Sequence, residues 1–184
     1  IAEEAAATLA ELGSKMKVGD PTSRDTEVGP LIRTAEVDRV DGWVQAAIAG
    51  GAKCLTGGER ISESCYKPTV LLNPPEDANV STMEIFGPVI CVYSYDDIDD
   101  AIEKANSLPV SFQAAVMTKD IDTAMRVYNR IDATAVMVNE HTAFRVDWMP
   151  FAGARQSGHG VGGIPYSMHE MQIEKMMVLR SDEL

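Results

Sequence analysis

Val37, Val40, Val44 and Ile48 recur at steps of three and four residues, the spacing that lines one face of an α-helix with apolar side chains. Thr34 precedes this stripe as an N-cap residue type, and Gly50-Gly51 stops it. Residues 2–16, rich in Ala, Glu, Leu and Lys, predict an earlier helix ending near Lys15–Lys17. Gly19 to Asp25 is turn chemistry and predicts a surface loop. After the Gly pair the pattern shortens to strands: 52–56, then a loop over 57–63, then 69–72 and 90–95. Asp97, Asp99 and Asp100 stand ahead of Ala101, Ile102 and Ala105, which predicts a helix to Asn106 with negative charge at the positive end of its dipole. A strand over 114–117, an amphipathic helix over 120–131 and a strand over 135–138 follow. From Asn139 the chain turns Gly-rich and irregular, and the apolar run Glu174–Leu179 predicts a final strand.

Strands alternating with helices over this length predict an α/β fold with a mostly parallel sheet and flanking helices. Residues 1–138 read as the α/β body. Residues 139–184 read as a pocket loop, a Gly-rich turn and a terminal oligomerisation strand of the same fold. With 184 residues, 45% of them hydrophobic and 24% charged, the chain is long enough to bury a real core. A net charge of −12 leaves no basic patch for a nucleic acid, and no apolar run approaches the length that spans a membrane.

Cys54, Cys65 and Cys91 form an odd set without metal-ligand spacing. They fit reduced thiols in a cytoplasmic protein rather than a disulfide framework. The sequon Asn79-Val80-Ser81 matters only in a secreted chain, and Ser181-Asp-Glu-Leu184 looks like a retrieval tail but has no accompanying entry signal. Ile1 in place of Met implies that the sequence begins inside a longer protein.

The densest chemistry lies at Glu84-Ile-Phe-Gly-Pro-Val89. Gly87-Pro88 fixes a sharp bend just before an apolar strand, so Glu84 and Phe86 should project from a rigid loop. Taken in isolation, the hexapeptide reads as an exposed Glu and a core Phe. Its neighbours change that. Upstream stand Val18-Gly-Asp-Pro21, Val28-Gly-Pro-Leu31, Gly50-Gly-Ala-Lys53, Gly57-Gly58 and Lys67-Pro-Thr-Val70. Downstream stand Ala101 to Asn106, Ala114-Ala-Val-Met-Thr118, Val138-Asn139, Pro150-Phe-Ala-Gly153 and Ser157-Gly158. In this order and spacing, over nearly the whole chain, they resemble the C-terminal part of the aldehyde dehydrogenase superfamily.

The resemblance implies NAD or NADP as cofactor and a small aldehyde as substrate. It also implies assembly of the full-length protein into a homodimer or homotetramer. Glu84 would hydrogen-bond the hydroxyls of the nicotinamide ribose, and Phe86 would pack near that sugar; an acceptor-only carboxylate suits a diol. Neither Cys54, Cys65 nor Cys91 has the Gly-Gln-x-Cys context of the family's nucleophile, which belongs upstream of Ile1 together with the general-base Glu and the nucleotide-binding domain. No catalytic residue is therefore assigned within the chain. Gly158-His-Gly-Val-Gly-Gly163 satisfies the dinucleotide pattern G-x-G-x-x-G, but too little chain follows it for a βαβ unit. In the resembled family it is a structural turn. Ala152 stands where that family usually has Gly.

Arg145 is the main clue to substrate. Phe144-Arg-Val-Asp-Trp-Met-Pro-Phe151 sets one guanidinium among four large apolar side chains, which points to recognition of a substrate anion. The alternative is an ion pair with Asp147 or a solvent-facing loop charge. Arg145 and Phe151 are the expected substrate-side residues, and the segment looks like the branch handling lactaldehyde, glyceraldehyde-3-phosphate and phosphonoacetaldehyde. His141 lies in the same loop, His159 and His169 have no ligand-like partners, and no metal site is expected. Two rival functions remain open here: an assembly module with this fold and no catalysis, and a dehydrogenase in which coenzyme A replaces water.

Overall fold

The computed structural model describes residues 1–183; Leu184, the last residue of the retrieval-like tail, lies outside them. The chain divides into two compact units, Ile1–Asp96 and the part from Asp97 onward.

The first unit is built on α1 (Ala2–Lys15), α2 (Thr34–Ala49), β1 (Lys53–Thr56), β2 (Thr69–Leu72), α3 (Asn79–Thr82) and β3 (Val89–Val92). Strand β2 lies in the middle, antiparallel to β1 and parallel to β3. All four of its residues are buried. Successive strand side chains point to opposite faces. Accordingly Leu71 joins Val37, Val40, Val44, Ala47 and Tyr66 in one cluster, while Val70 and Leu72 pack with Ala6 and Ala10 of α1 in another. The apolar stripe read along residues 37–48 is the core face of α2, with Val37, Val40 and Val44 fully buried. Arg33, not Thr34, takes the cap position of that helix, and Thr34 is its first helical residue. Tyr66 is buried with its hydroxyl donating to Asp41 (3.1 Å), and burial pushes its phenol well above the ordinary range.

The second unit contains α4 (Ile98–Asn106), β4 (Val110–Ser111), β5 (Gln113–Val116), α5 (Ile121–Arg130), β6 (Ala135–Val138), β7 (Phe151–Ala152), β8 (Ala154–Arg155), β9 (Val161–Gly162) and α6 (Ile164–Glu170). Strands β5 and β6 pair in parallel with α5 as the crossover. Ile102, Val116 and Val127 form the buried centre. The acidic starts of α4 and α5 are caps: Asp97 accepts from the Asp99 amide and Asp120 from those of Asp122 and Thr123. Hydrogen bonds from Thr123 hold the Asp120 carboxyl below the usual range. Asp99 accepts from Arg126 and Arg130 across the α4–α5 face.

The α/β alternation is as expected, with parallel pairing at β2–β3 and β5–β6. The remaining pairs, β1–β2, β4–β8 and β7–β9, are antiparallel. Residues 174–179 do not form the expected strand. They run as exposed chain, with Ile173 94%, Met176 85% and Val178 84% accessible. A strand exists only where its backbone groups find a second edge, and none of the described strands pairs with this segment.

Candidate functional site

Between α3 and β3, residues 83–88 form a loop seated on α2. Ile85 packs against the first core cluster and anchors the middle of the loop. A Cβ on Gly87 would meet Val40 Cγ2 at 3.0 Å, so the chain lies close against α2 and a larger residue would have to push Val40 aside. Two backbone bonds lock the exit into β3: Val89 N–H to the Gly87 carbonyl (2.8 Å) and Thr69 N–H to the Pro88 carbonyl (2.8 Å). From α2, Arg39 donates to the Ile85 carbonyl at 2.6 Å.

This scaffold holds one residue, Phe86, in a conformation that local preference alone would not choose. Phe86 sits at φ 50°, left-handed backbone that costs a bulky residue about 1–3 kcal/mol. The residue is 77% exposed. The isolated reading of a core Phe is thus overturned: the tight seat of Ile85 and Gly87 turns residue 86 outward. Glu84 is exposed as well, and among the described residues its carboxylate takes no hydrogen bond. An open acceptor-only carboxylate beside an open aromatic ring suits a sugar diol.

In the second unit, Asn139 closes the end of β6 in left-handed backbone (φ 56°). Its side-chain amide exchanges two hydrogen bonds with the Thr118 backbone, each 2.8 Å. The loop that follows carries Arg145, whose guanidinium lies over the Phe151 ring, 4.4 Å from its centroid. Phe151 in turn meets Phe112 edge-to-face, with centroids 5.0 Å apart. Arg145 and Phe151 are therefore brought together, in a stack that includes a residue the sequence did not single out. The four large apolar residues that flank Arg145 in sequence do not bury it. Arg145 is exposed, as are Phe144 and Trp148, because the loop turns those rings to solvent. Among the described residues Arg145 makes no ion pair with Asp147; its charge faces solvent, as the second alternative had it, with one face on Phe151. His141 is exposed; its Nδ1 accepts from the Ala143 amide.

The G-x-G-x-x-G segment bends into the short strand β9. Gly162 pairs with Phe151 in β7–β9, and Gly163 (φ 111°) precedes the seven-residue helix α6. A Cβ on Gly163 would meet the Met149 carbonyl at 2.5 Å, so close backbone packing requires this glycine.

None of the three thiols has the surroundings of a nucleophile. Cys65 is buried, and burial pushes the thiols of Cys54 and Cys91 up. Cys54 donates to the Thr56 carbonyl and Cys91 to that of Val80. Fewer thiolates at neutral pH mean slow alkylation. Iodoacetamide at pH 8 is expected to label the native protein several-fold more slowly than free cysteine, with the rate recovering in denaturant. Equal native and denatured rates would refute the inert assignment. Among the described residues no three His, Cys, Asp or Glu side chains converge as metal ligands, and no helix is long and apolar enough to cross a membrane.

The loop carrying Glu84 and Phe86 leads into a strand, the kind of place where small-molecule sites are commonly built. Residues 1–177 match the Aldehyde dehydrogenase family, and the chain belongs to it. It is 39% identical over 171 residues to the 3-sulfolactaldehyde dehydrogenase of Priestia aryabhattai, a match covering 93% of this chain and 36% of that protein. Glyceraldehyde-3-phosphate dehydrogenase GapN of Methanocaldococcus jannaschii, solved with NADP, superposes with a TM-score of 0.87 at 32% identity, over 93% of this chain and 37% of that one. The NAD+ complex of an aldehyde dehydrogenase from Bacillus cereus gives a TM-score of 0.83 at 31% identity, over 90% and 34%. The chain thus spans about a third of the length of the relatives it matches.

Proposed function

We propose that this chain is the C-terminal part of an NAD- or NADP-dependent dehydrogenase that oxidises a small anionic aldehyde to a carboxylate. The observation that carries the cofactor side is the loop at 84–86, where an unengaged Glu84 carboxylate stands two residues before a Phe86 ring turned outward by left-handed backbone. Glu84 would hold the nicotinamide ribose through its hydroxyls, and Phe86 would pack beside that sugar. The nicotinamide, when bound, supplies the hydride acceptor. The attacking thiol and the general base belong to a preceding segment, so residues 1–184 alone should not turn over an aldehyde. On the substrate side, Arg145 over Phe151 supplies a fixed positive charge. The sulfonate and phosphate named in two of the similar proteins' substrates support an anionic aldehyde. The unpaired thiols support a cytoplasmic setting, and the apolar segment 173–179 supports a homo-oligomer.

The test is Glu84→Gln in the full-length enzyme. The amide loses the charge that strengthens hydrogen bonds to the ribose, so single-turnover hydride transfer should slow by about ten- to a hundredfold. Thermal stability should hold, because Glu84 is exposed and supports no other group. Wild-type hydride transfer in this variant would sink the assignment.

A further inference from the structure

Arg39 carries the next step, which rests on reading the 84–86 loop as the ribose site. Its guanidinium is fixed three ways. Nε donates to Glu36 Oε2 at 2.7 Å, the guanidinium carbon sits 4.3 Å from the centroid of the Trp43 ring, and Nη2 donates to the Ile85 carbonyl at 2.6 Å. The side chain is 27% exposed, and Glu36 18%. Glu36 is itself held from the other side by Arg33 Nε and Nη2 (3.0 and 2.8 Å). Glu36, Arg39 and Trp43 lie on one strip of α2, at the i+3 and i+4 spacings that make helical neighbours meet.

The carbonyl that Arg39 holds belongs to the peptide joining Ile85 to Phe86. Rotating that peptide plane changes ψ of residue 85 and φ of residue 86 in opposite senses. It is also the movement that would return Phe86 from φ 50° to ordinary backbone. A flip would swing the Ile85 carbonyl away from α2 and break the hydrogen bond. We propose that Arg39 is a positioning residue: it locks the Ile85–Phe86 peptide and thereby sets the direction in which Glu84 and Phe86 face the ribose. Planarity matters here, since the same guanidinium must stack on Trp43 while presenting donors along two edges, which an ammonium cannot do.

The experiment compares single-turnover hydride transfer, dinucleotide affinity and Tm in the full-length enzyme for Arg39→Met, Arg39→Lys, Glu84→Gln and the double variant R39M/E84Q. Arg39→Met should slow hydride transfer by about tenfold, the value of one charge-assisted hydrogen bond. Dinucleotide affinity should change far less than the hydride rate. Arg39→Lys keeps a cationic donor but not the planar stack with two donor edges, so it should recover only a small part of the rate. Because Arg39 acts through the loop, the double variant should be scarcely slower than Glu84→Gln alone; residues in one network are non-additive in this way. If Arg39→Met does not fold, Glu36→Gln decides, with an expected slowing of about twofold at unchanged Tm; no slowing overturns the proposal. A slow Glu84→Gln beside a wild-type Arg39→Met retires the lock and leaves the ribose site standing. A wild-type Glu84→Gln retires the ribose site and the lock with it. Fully additive losses, or a fall in Tm with the hydride rate intact, reduce Arg39 to a structural brace.

Discussion

Shortening the full-length protein after Gln172 is expected to abolish the proposed homo-oligomer, leaving monomer or insoluble material. Ile173, Met176, Met177, Val178 and Leu179 are 66–94% exposed in the single chain. Each such side chain contributes about 1.5–3 kcal/mol when fully buried. Even with one face of a strand covered, this amounts to several kcal/mol per chain by the same measure, and a symmetric pair counts it twice. Its backbone pairs with none of the described strands, so a sheet edge of a second chain could take it up. Sedimentation velocity on the truncated and intact proteins reads the outcome directly. An unchanged oligomer after truncation would exclude this segment as the interface element and leave its exposure without an account.

Arg145→Leu should lower kcat/KM for a sulfonate-, phosphate- or carboxylate-bearing aldehyde by about tenfold or more, the scale of a charge-assisted hydrogen bond. A neutral aldehyde of similar size should keep its rate or gain. The stack on Phe151 makes the prediction specific. With its face on the ring, the guanidinium keeps its N–H edges free, and those edges recognise planar or tetrahedral anions. Because the group is exposed in this chain, the anionic preference should weaken as salt rises if the site stays open to solvent. A bracing role predicts something else: loss of Arg145 would loosen Phe151 and Phe112, and both aldehydes would suffer together. Parallel losses would retire the anion site. Phe112→Leu serves as the control, since it disturbs the stack and keeps the charge.

Much of the fold was legible because its signals are local. The three- and four-residue apolar steps marked α2, the acidic cluster at Asp97 marked the start of α4, the amphipathic pattern marked α5, and strands β2 and β6 fall where short apolar runs predicted them. The motif around Glu84-Ile-Phe-Gly-Pro88 marked the loop, since Gly-Pro fixes backbone without help from distant residues. Tertiary structure decided what depends on partners remote in sequence. Phe86 turns outward because Ile85 is held from α2, 46 residues away along the chain, and because Gly87 lies against Val40. The adjacent residues Glu36, Arg39 and Trp43 advertise a helical strip, yet nothing in their spacing names the carbonyl they serve. Strands β4, β7, β8 and β9 are two residues each, too short for any periodicity, and exist only through their pairing. Residues 174–179 show the converse. Their composition favours a strand, but a strand needs a second edge to hydrogen-bond, and composition alone cannot supply one.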